Sequence, residues 1–207
     1  MKIAIIDYEA GNLANVYRAA QRAGLDCMVT RDAEEIRRAD GLILPGVGAM
    51  KDAMDHLNAF GLTDLLREEA AAGKKILGIC LGMQAFCGYS EEGGHVDGLG
   101  LIPGTVVRFP EGPLKVPHMG WNELVFRRKH WLARGLPAHP YVYFVHSYYK
   151  TPPDAPDVIA CADYGVSVPA VIGAGHVLGL QFHPEKSGAV GAQLWANLAD
   201  WFKGELS

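Results

Sequence analysis

Lys75-Ile76-Leu77-Gly78-Ile79-Cys80-Leu81-Gly82-Met83-Gln84 decides how the chain folds. Ile76 to Ile79 is a short apolar run of the kind that forms a buried parallel strand. The chain turns sharply at Cys80, with a glycine two residues before and two after, and from Leu81 the pattern predicts a helix with Leu81, Gln84 and Ala85 on one side. A strand, a tight turn and a helix with a nucleophilic residue at the tip make a nucleophile elbow. The glycines serve close packing, because a Cβ beside the tip would collide with the adjacent strand or helix. The helix points free N–H groups and its positive end at the sulfur, which favours thiolate over thiol and supplies a donor to a developing oxyanion. An isolated G-x-C-x-G fits a buried structural cysteine equally well, so the elbow needs a partner base.

Working outward, Ile3–Ile6 and Cys27–Thr30 read as strands. Between them a helix carries Leu13, Val16, Tyr17 and Ala20 and closes at Gly24. Asp32 caps a short polar helix through Arg38, and Gly41–Leu44 is a third strand leading into Pro45-Gly46-Val47-Gly48. Helices follow around Met50, Met54 and Leu57 and over Thr63–Ala72. Strands alternating with helices predict a mainly parallel α/β sheet with right-handed crossovers. Gly98 to Gly179 differs, being rich in β-branched and aromatic residues with Pro and Gly punctuation. Strands are expected at Thr105–Phe109, Tyr141–Tyr149, Val158–Asp163, Ala170–Ile172 and His176–Phe182, with Gly173-Ala174-Gly175 as a hairpin turn. A last helix spans Ser187–Phe202. Residues 1–207 are therefore expected to form one α/β domain, with helices flanking the central sheet and an added antiparallel β region in the second half.

Composition narrows the function. The chain has 207 residues, 49% hydrophobic and 20% charged, enough for a full core. A net charge of −4 with no Lys/Arg run argues against nucleic-acid binding. No apolar run approaches membrane-spanning length, and the N-terminus reaches Asp7 too early for a signal peptide, so a cytoplasmic protein is expected. Cys27, Cys80, Cys87 and Cys161 form no C-x-x-C pair, and no Cys/His ligand spacing is present, so neither metal nor cofactor is expected. His56, His95, His130 and His139 are expected at the surface.

The candidate base lies in Gln181-Phe182-His183-Pro184-Glu185-Lys186-Ser187, after the last strand. In extended backbone His183 and Glu185 leave on the same face, and a carboxylate beside an imidazole fixes its tautomer and supports the imidazolium. Alone this is a solvated turn capped by Ser187. Beside the Cys80 elbow it completes a nucleophile–base–orienter set. The acid follows the His by two residues, unlike the acid-then-His order of the α/β serine hydrolases. Pro45-Gly46-Val47-Gly48 suits an anion-binding loop. As a dinucleotide fingerprint it fails, since Lys51 stands at the third glycine position.

Gly78-Ile79-Cys80-Leu81-Gly82-Met83-Gln84 with His183-Pro184-Glu185 resembles the class I (triad) glutamine amidotransferases. Pro117-His118-Met119-Gly120-Trp121-Asn122, Tyr143-Phe144-Val145-His146-Ser147-Tyr148-Tyr149, Asp7-Tyr8 … Gly11-Asn12-Leu13 and Pro45-Gly46-Val47-Gly48-Ala49 are similar to the HisH family, the glutaminase subunits of imidazole glycerol phosphate synthase. Glu9 departs from the small residue usual there. The resemblance implies a Cys80–His183–Glu185 triad and an oxyanion held by the N–H groups of Leu81 and of the Gly46–Gly48 loop, through Val47 and Gly48. It implies glutamine contacts at Gly46, Gly48, Gln84, His146, Ser147 and Tyr148, and a HisF-like (βα)8-barrel synthase subunit as heterodimer partner. That partner takes ammonia through a tunnel and turns a phosphoribulosyl-formimino-carboxamide ribotide into imidazole glycerol phosphate and an aminoimidazole carboxamide ribotide. Asn12, Asn15, Met119, Trp121 and Lys186 are the expected partner contacts, with Asn12 and Asn15 on the first helix touching the oxyanion loop. The alternatives are a glutaminase of the anthranilate, aminodeoxychorismate or pyridoxal-phosphate systems, against which Pro117–Asn122 speaks, or a non-catalytic regulatory module.

Overall fold

The computed structural model describes residues 1–9 and 11–206. In the first half β1 (Lys2–Ile6), α1 (Leu13–Arg22), β2 (Asp26–Thr30), α2 (Ala33–Arg38), β3 (Gly41–Gly46), α3 (Met50–Ala59), α4 (Leu62–Ala71), β4 (Lys75–Cys80) and α5 (Leu81–Ala85) follow one another. Asp32 caps α2 by accepting the Glu35 N–H. The second half contributes β5 (Tyr89–Ser90), β6 (Val96–Asp97), β7 (Thr105–Arg108), β8 (His118–Glu123), β9 (Val125–Phe126), β10 (Tyr141–His146) and β11 (Tyr148–Thr151). After them come β12 (Val158–Asp163), β13 (Ser167–Ala174), β14 (Val177–Leu180) and α6 (Gly188–Lys203).

The main sheet runs β2-β1-β3-β4-β14-β13-β12-β9. Its first five strands are parallel; β13, β12 and β9 extend it antiparallel. Helices cover both faces, so neighbouring residues of one strand enter opposite cores. Ile3, Ile5, Ile43 and Leu77 pack on one side, and Ala4, Ile6, Leu42, Leu44 and Ile76 on the other. This is why the parallel strands read as continuous apolar runs rather than as alternation. Two smaller sheets, β10-β8 and β11-β7-β5-β6, carry the added β region.

Several expectations change. Tyr141–Tyr149 is two strands in different sheets, because the chain bends at Ser147, where the His146 ring bonds the Tyr148 carbonyl at 2.8 Å. The hairpin turn is Gly175-His176, since β13 continues to Ala174 and Gly175 takes the positive φ of 57°. Strands β5, β6, β8 and β9 were not expected, and the helix after the elbow is only five residues long. His56 and His130 are half-buried: His56 Nδ1 lies 3.0 Å from the Tyr8 carbonyl, and burial pushes His130 down to about 4. Glu9 sits at φ 67° with its carboxylate on Arg31, which also grips Asp7, so an ion pair holds the departing loop.

Candidate active site

Three adjacent parallel strands bring the site together at their C-terminal ends, where ligands of open α/β sheets bind. Cys80 closes β4, Gly46 pairs with it at the end of β3, and Leu180 of β14 pairs with Ile79. The elbow is as tight as the glycine spacing predicts. Cys80 takes φ 54° and ψ −109°, and a Cβ on Gly82 would stand 1.8 Å from the Leu44 carbonyl oxygen. A Cβ on Gly78 would stand 2.5 Å from the Phe86 ring. Neither neighbour has room to yield, so the turn excludes side chains at both positions.

His183 follows β14 and is fully buried. Its Nδ1 lies 2.7 Å from Glu185 Oε1, and both side chains are out of solvent. The route to this pair differs from the extended one expected: His183 is extended at φ −100° and ψ 96°, while Pro184–Lys186 form one 3-10 turn that folds Glu185 back under the ring. The turn is fastened to β10 on both sides. His183 N–H donates to the Tyr143 carbonyl, and Ser187 Oγ donates to the His183 carbonyl while accepting the Tyr143 N–H. Ser187 therefore bridges to β10 instead of capping α6 with its side chain.

Electrostatics favour the imidazolium. Burial lowers the His183 pKa, but the Cys80 sulfur and the Glu185 carboxylate on its two sides outweigh that and hold it up at about 9. Two thiols away from the site are held protonated, since burial raises Cys27 and Cys87 to about 12. Gln181 Nε2 lies 3.7 Å from the Cys80 sulfur, and the Val145 carbonyl 4.0 Å.

A cavity of about 380 Å³ opens onto the sulfur, lined by Val47, Gly48, Leu81, Gln84, Glu92, Pro117, Val145, His146, Ser147 and Tyr148 as well as Cys80. Five of the six expected glutamine contacts are there. Gly46 is not, because it is the buried last residue of β3. Gln84 lines the wall with its amide committed to the Tyr148 carbonyl and to Gln181 Oε1, at 2.9 and 3.0 Å. Glu92 escaped the sequence reading, since Glu91-Glu92-Gly93-Gly94 has the composition of a solvated turn. It is the one carboxylate on the cavity wall among the described residues, and its Oε2 accepts the Met50 N–H at the start of α3. A larger cleft of about 540 Å³, around Lys75, His130 and Trp201, holds none of these groups.

Asn12 is not where the sequence put it. It precedes α1 at φ 76° and donates from Nδ2 to Glu185 Oε1 at 2.5 Å, while Asn15 donates to Asn12 Oδ1. The hydrogen bonds of the pair thus run to Glu185, and none among the described residues ties it to the Gly46–Gly48 loop. Met119 and Trp121 are 61% and 56% exposed; Trp121 meets Tyr143 edge-on, and exposed Lys186 holds its Nζ over the same Tyr143 ring.

Comparison with known proteins gives the family and the fold. Residues 4–199 match the family described as glutamine amidotransferase class-I. The imidazole glycerol phosphate synthase subunit HisH of Geobacillus kaustophilus is 52% identical over 94% of this chain and 94% of its own. The HisH subunit of Listeria monocytogenes is 48% identical over 93% and 92%. Among solved structures, a glutamine amidotransferase superposes with TM-score 0.76 at 20% identity, covering 98% of each chain. PurLQS from Thermotoga maritima gives 0.73 at 19%, covering 97% and 98%, which speaks for the fold alone. With its elbow, its His–Glu turn and this identity over nearly its whole length, the chain belongs to the class I glutamine amidotransferases and, within them, to the HisH family.

Proposed function

We propose that this chain is the glutaminase subunit of an imidazole glycerol phosphate synthase, hydrolysing glutamine at Cys80 and passing ammonia to a HisF-like (βα)8-barrel synthase subunit. The observation that carries the reading is convergence. The ends of β3 and β4 present an anion-binding loop and a thiol to one cavity of amino-acid size, and the turn after β14 sets a buried imidazole–carboxylate pair behind that thiol.

His183 already carries the proton as an imidazolium while the Cys80 sulfur attacks the side-chain carbonyl carbon of glutamine. The resulting oxyanion faces the N–H of Leu81 and those of Val47 and Gly48. As the C–N bond breaks, His183 gives the proton to the nitrogen, ammonia leaves and a γ-glutamyl thioester remains. His183 next takes a proton from water, whose oxygen adds to the thioester. Collapse breaks the C–S bond and releases glutamate with the thiol restored. Glu185 acts throughout by holding the proton on Nδ1, so that Nε2 faces the sulfur. At the far end, Glu92 pairs with the α-ammonium of glutamine, because no other carboxylate of the described residues lines the cavity.

Exposed Met119, Trp121 and Lys186 with half-buried Tyr143 form an aromatic and cationic patch beside the His183 turn, suited to the core of an interface. Strand β10 joins the two: Tyr143 belongs to this patch, and Val145 lines the cavity. The deciding measurement is glutamate and ammonia release from glutamine, alone and with the barrel subunit carrying its nucleotide ligand. We expect weak turnover alone and strong activation in the complex. Full activity in the isolated chain, unchanged by the partner, would refute the coupling.

A further inference from the structure

A run of buried polar groups leads from the exposed strand β8 to the wall of the glutamine cavity, and each hydrogen on it is fixed by its neighbour. His146 Nδ1 lies 2.8 Å from the Tyr148 carbonyl, which can only accept, so this nitrogen carries the proton and Nε2 is an acceptor. His118 Nδ1 lies 3.0 Å from that Nε2 and must donate to it. His118 Nε2 is then an acceptor, 3.2 Å from Asn122 Nδ2. The Asn122 orientation is independently set, because its Oδ1 accepts the Glu123 N–H and its Nδ2 also donates to the Asp163 carbonyl. Only one assignment satisfies every pair, and it requires both imidazoles to be neutral. Burial agrees, lowering His118 to about 4 and His146 to about 3. The rings are clamped as well: His118 stacks between Tyr164 and Phe144 at 4.0 and 4.5 Å, and Phe109 lies against His146 at 5.3 Å.

We propose that His118 is a positioning residue for glutamine binding: with Asn122 it locks neutral His146 in its Nδ1–H form, and through the Tyr148 carbonyl holds the Ser147–Tyr148 wall of the cavity. The carbonyl at the end of the run also takes the Gln84 amide, whose second contact, Gln181, reaches the Cys80 sulfur. His118 shares β8 with exposed Met119 and Trp121, so the strand that a partner would touch is the strand that sets this wall. The inference rests on the glutaminase reading for its kinetic half only.

Two replacements separate positioning from packing. His118→Phe keeps the ring and its stacking but gives His146 Nε2 no donor. His118→Asn loses the ring but places an amide N–H near the original Nδ1. With the synthase subunit present, we expect His118→Phe to raise KM for glutamine about tenfold with a smaller change in kcat, as for one buried acceptor left unsatisfied. His118→Asn is expected to stay within about threefold of wild type. A packing role predicts the reverse ranking, and that ranking would overturn the proposal. Independently of activity, two-bond ¹⁵N–¹H spectra of the histidine-labelled chain should give His118 and His146 as Nδ1–H forms, neutral at pH 5. An Nε2–H signal for either would refute the lock. Wild-type inactivity with both Nδ1–H signals present would count against the glutaminase reading and leave the lock standing.

Discussion

Replacing Glu185 with glutamine removes a negative charge beside His183 and keeps an oxygen available to its Nδ1–H. The size of the effect depends on which way the new amide points. If its NH2 group faced the ring, Nδ1 would have to accept, the proton would move to Nε2 against the sulfur, and the base would be lost. In a serine-protease triad the corresponding wrong tautomer costs about 10⁴ in kcat. Here the geometry forbids that orientation. Glu185 Oε1 accepts from two donors at once, His183 Nδ1–H at 2.7 Å and Asn12 Nδ2–H at 2.5 Å, so an NH2 there would face both. The amide oxygen is therefore pinned towards the ring, and only the charge assistance is lost. That is about 1–2 kcal/mol, the difference between a charged and a neutral hydrogen bond, or roughly 5- to 30-fold in kcat. Removing the pin should restore the bad orientation, so Asn12→Ala with Glu185→Gln is expected to lose far more than the product of the single effects. The assay is steady-state glutamate release with the synthase subunit present, for both single variants and the double. A Glu185→Gln single variant at the level of Cys80→Ala would refute the pinning argument, and one indistinguishable from wild type would reduce the triad to a dyad.

A glutamine-like electrophile should label Cys80 alone, since burial holds Cys27 and Cys87 at about 12; Cys80→Ala should abolish hydrolysis while ammonia-dependent synthesis by the complex survives, and mass-spectrometric mapping of the label checks this. Because the His183 pKa is raised from 6.5 to about 9, its ion pair contributes stability fully present below pH 6.5 and lost as pH rises through about 9. Activity should fall over the same alkaline range, and Glu185→Gln, which removes one of the raising charges, should move that limb to lower pH in a kcat/KM profile. Trp121→Ala and Lys186→Ala, both at exposed positions, should leave Tm within about 2 °C while losing part of the partner-dependent activation.

The elbow, the first four parallel strands and their helices were legible because each rests on local rules. Glycine beside a tip, an apolar run and a capping Asp32 need no knowledge of distant residues. Strand order is another matter. That β14 lies beside β4, bringing His183 to Cys80, follows from pairing between segments about a hundred residues apart, and periodicity carries no record of it. The His183–Glu185 contact was anticipated through the wrong backbone, since one 3-10 turn closes the same gap that an extended pair would. Asn12 was misplaced for a related reason: its φ of 76° puts it outside the helix, and its target lies 173 positions away.

Strand β8 escaped notice for a reason that bears on function. His118-Met119-Gly120-Trp121-Asn122-Glu123 contains no β-branched residue, and its alternation is inverted, with His118 buried and Asn122 half-buried while Met119 and Trp121 face outward. A strand on an ordinary core would gain by the opposite arrangement, because a buried imidazole and amide are costly unless every polar atom is paired. The inversion persists here because both conditions for it are met. Inward, the His146, Tyr148 and Asp163 contacts satisfy the polar side chains. Outward, the tryptophan and methionine left in water on one strand face fit the partner surface proposed above. On the proposed reading the strand serves two surfaces at once, a cavity wall and a partner face, and a local rule of alternation is expected to break down at such a place.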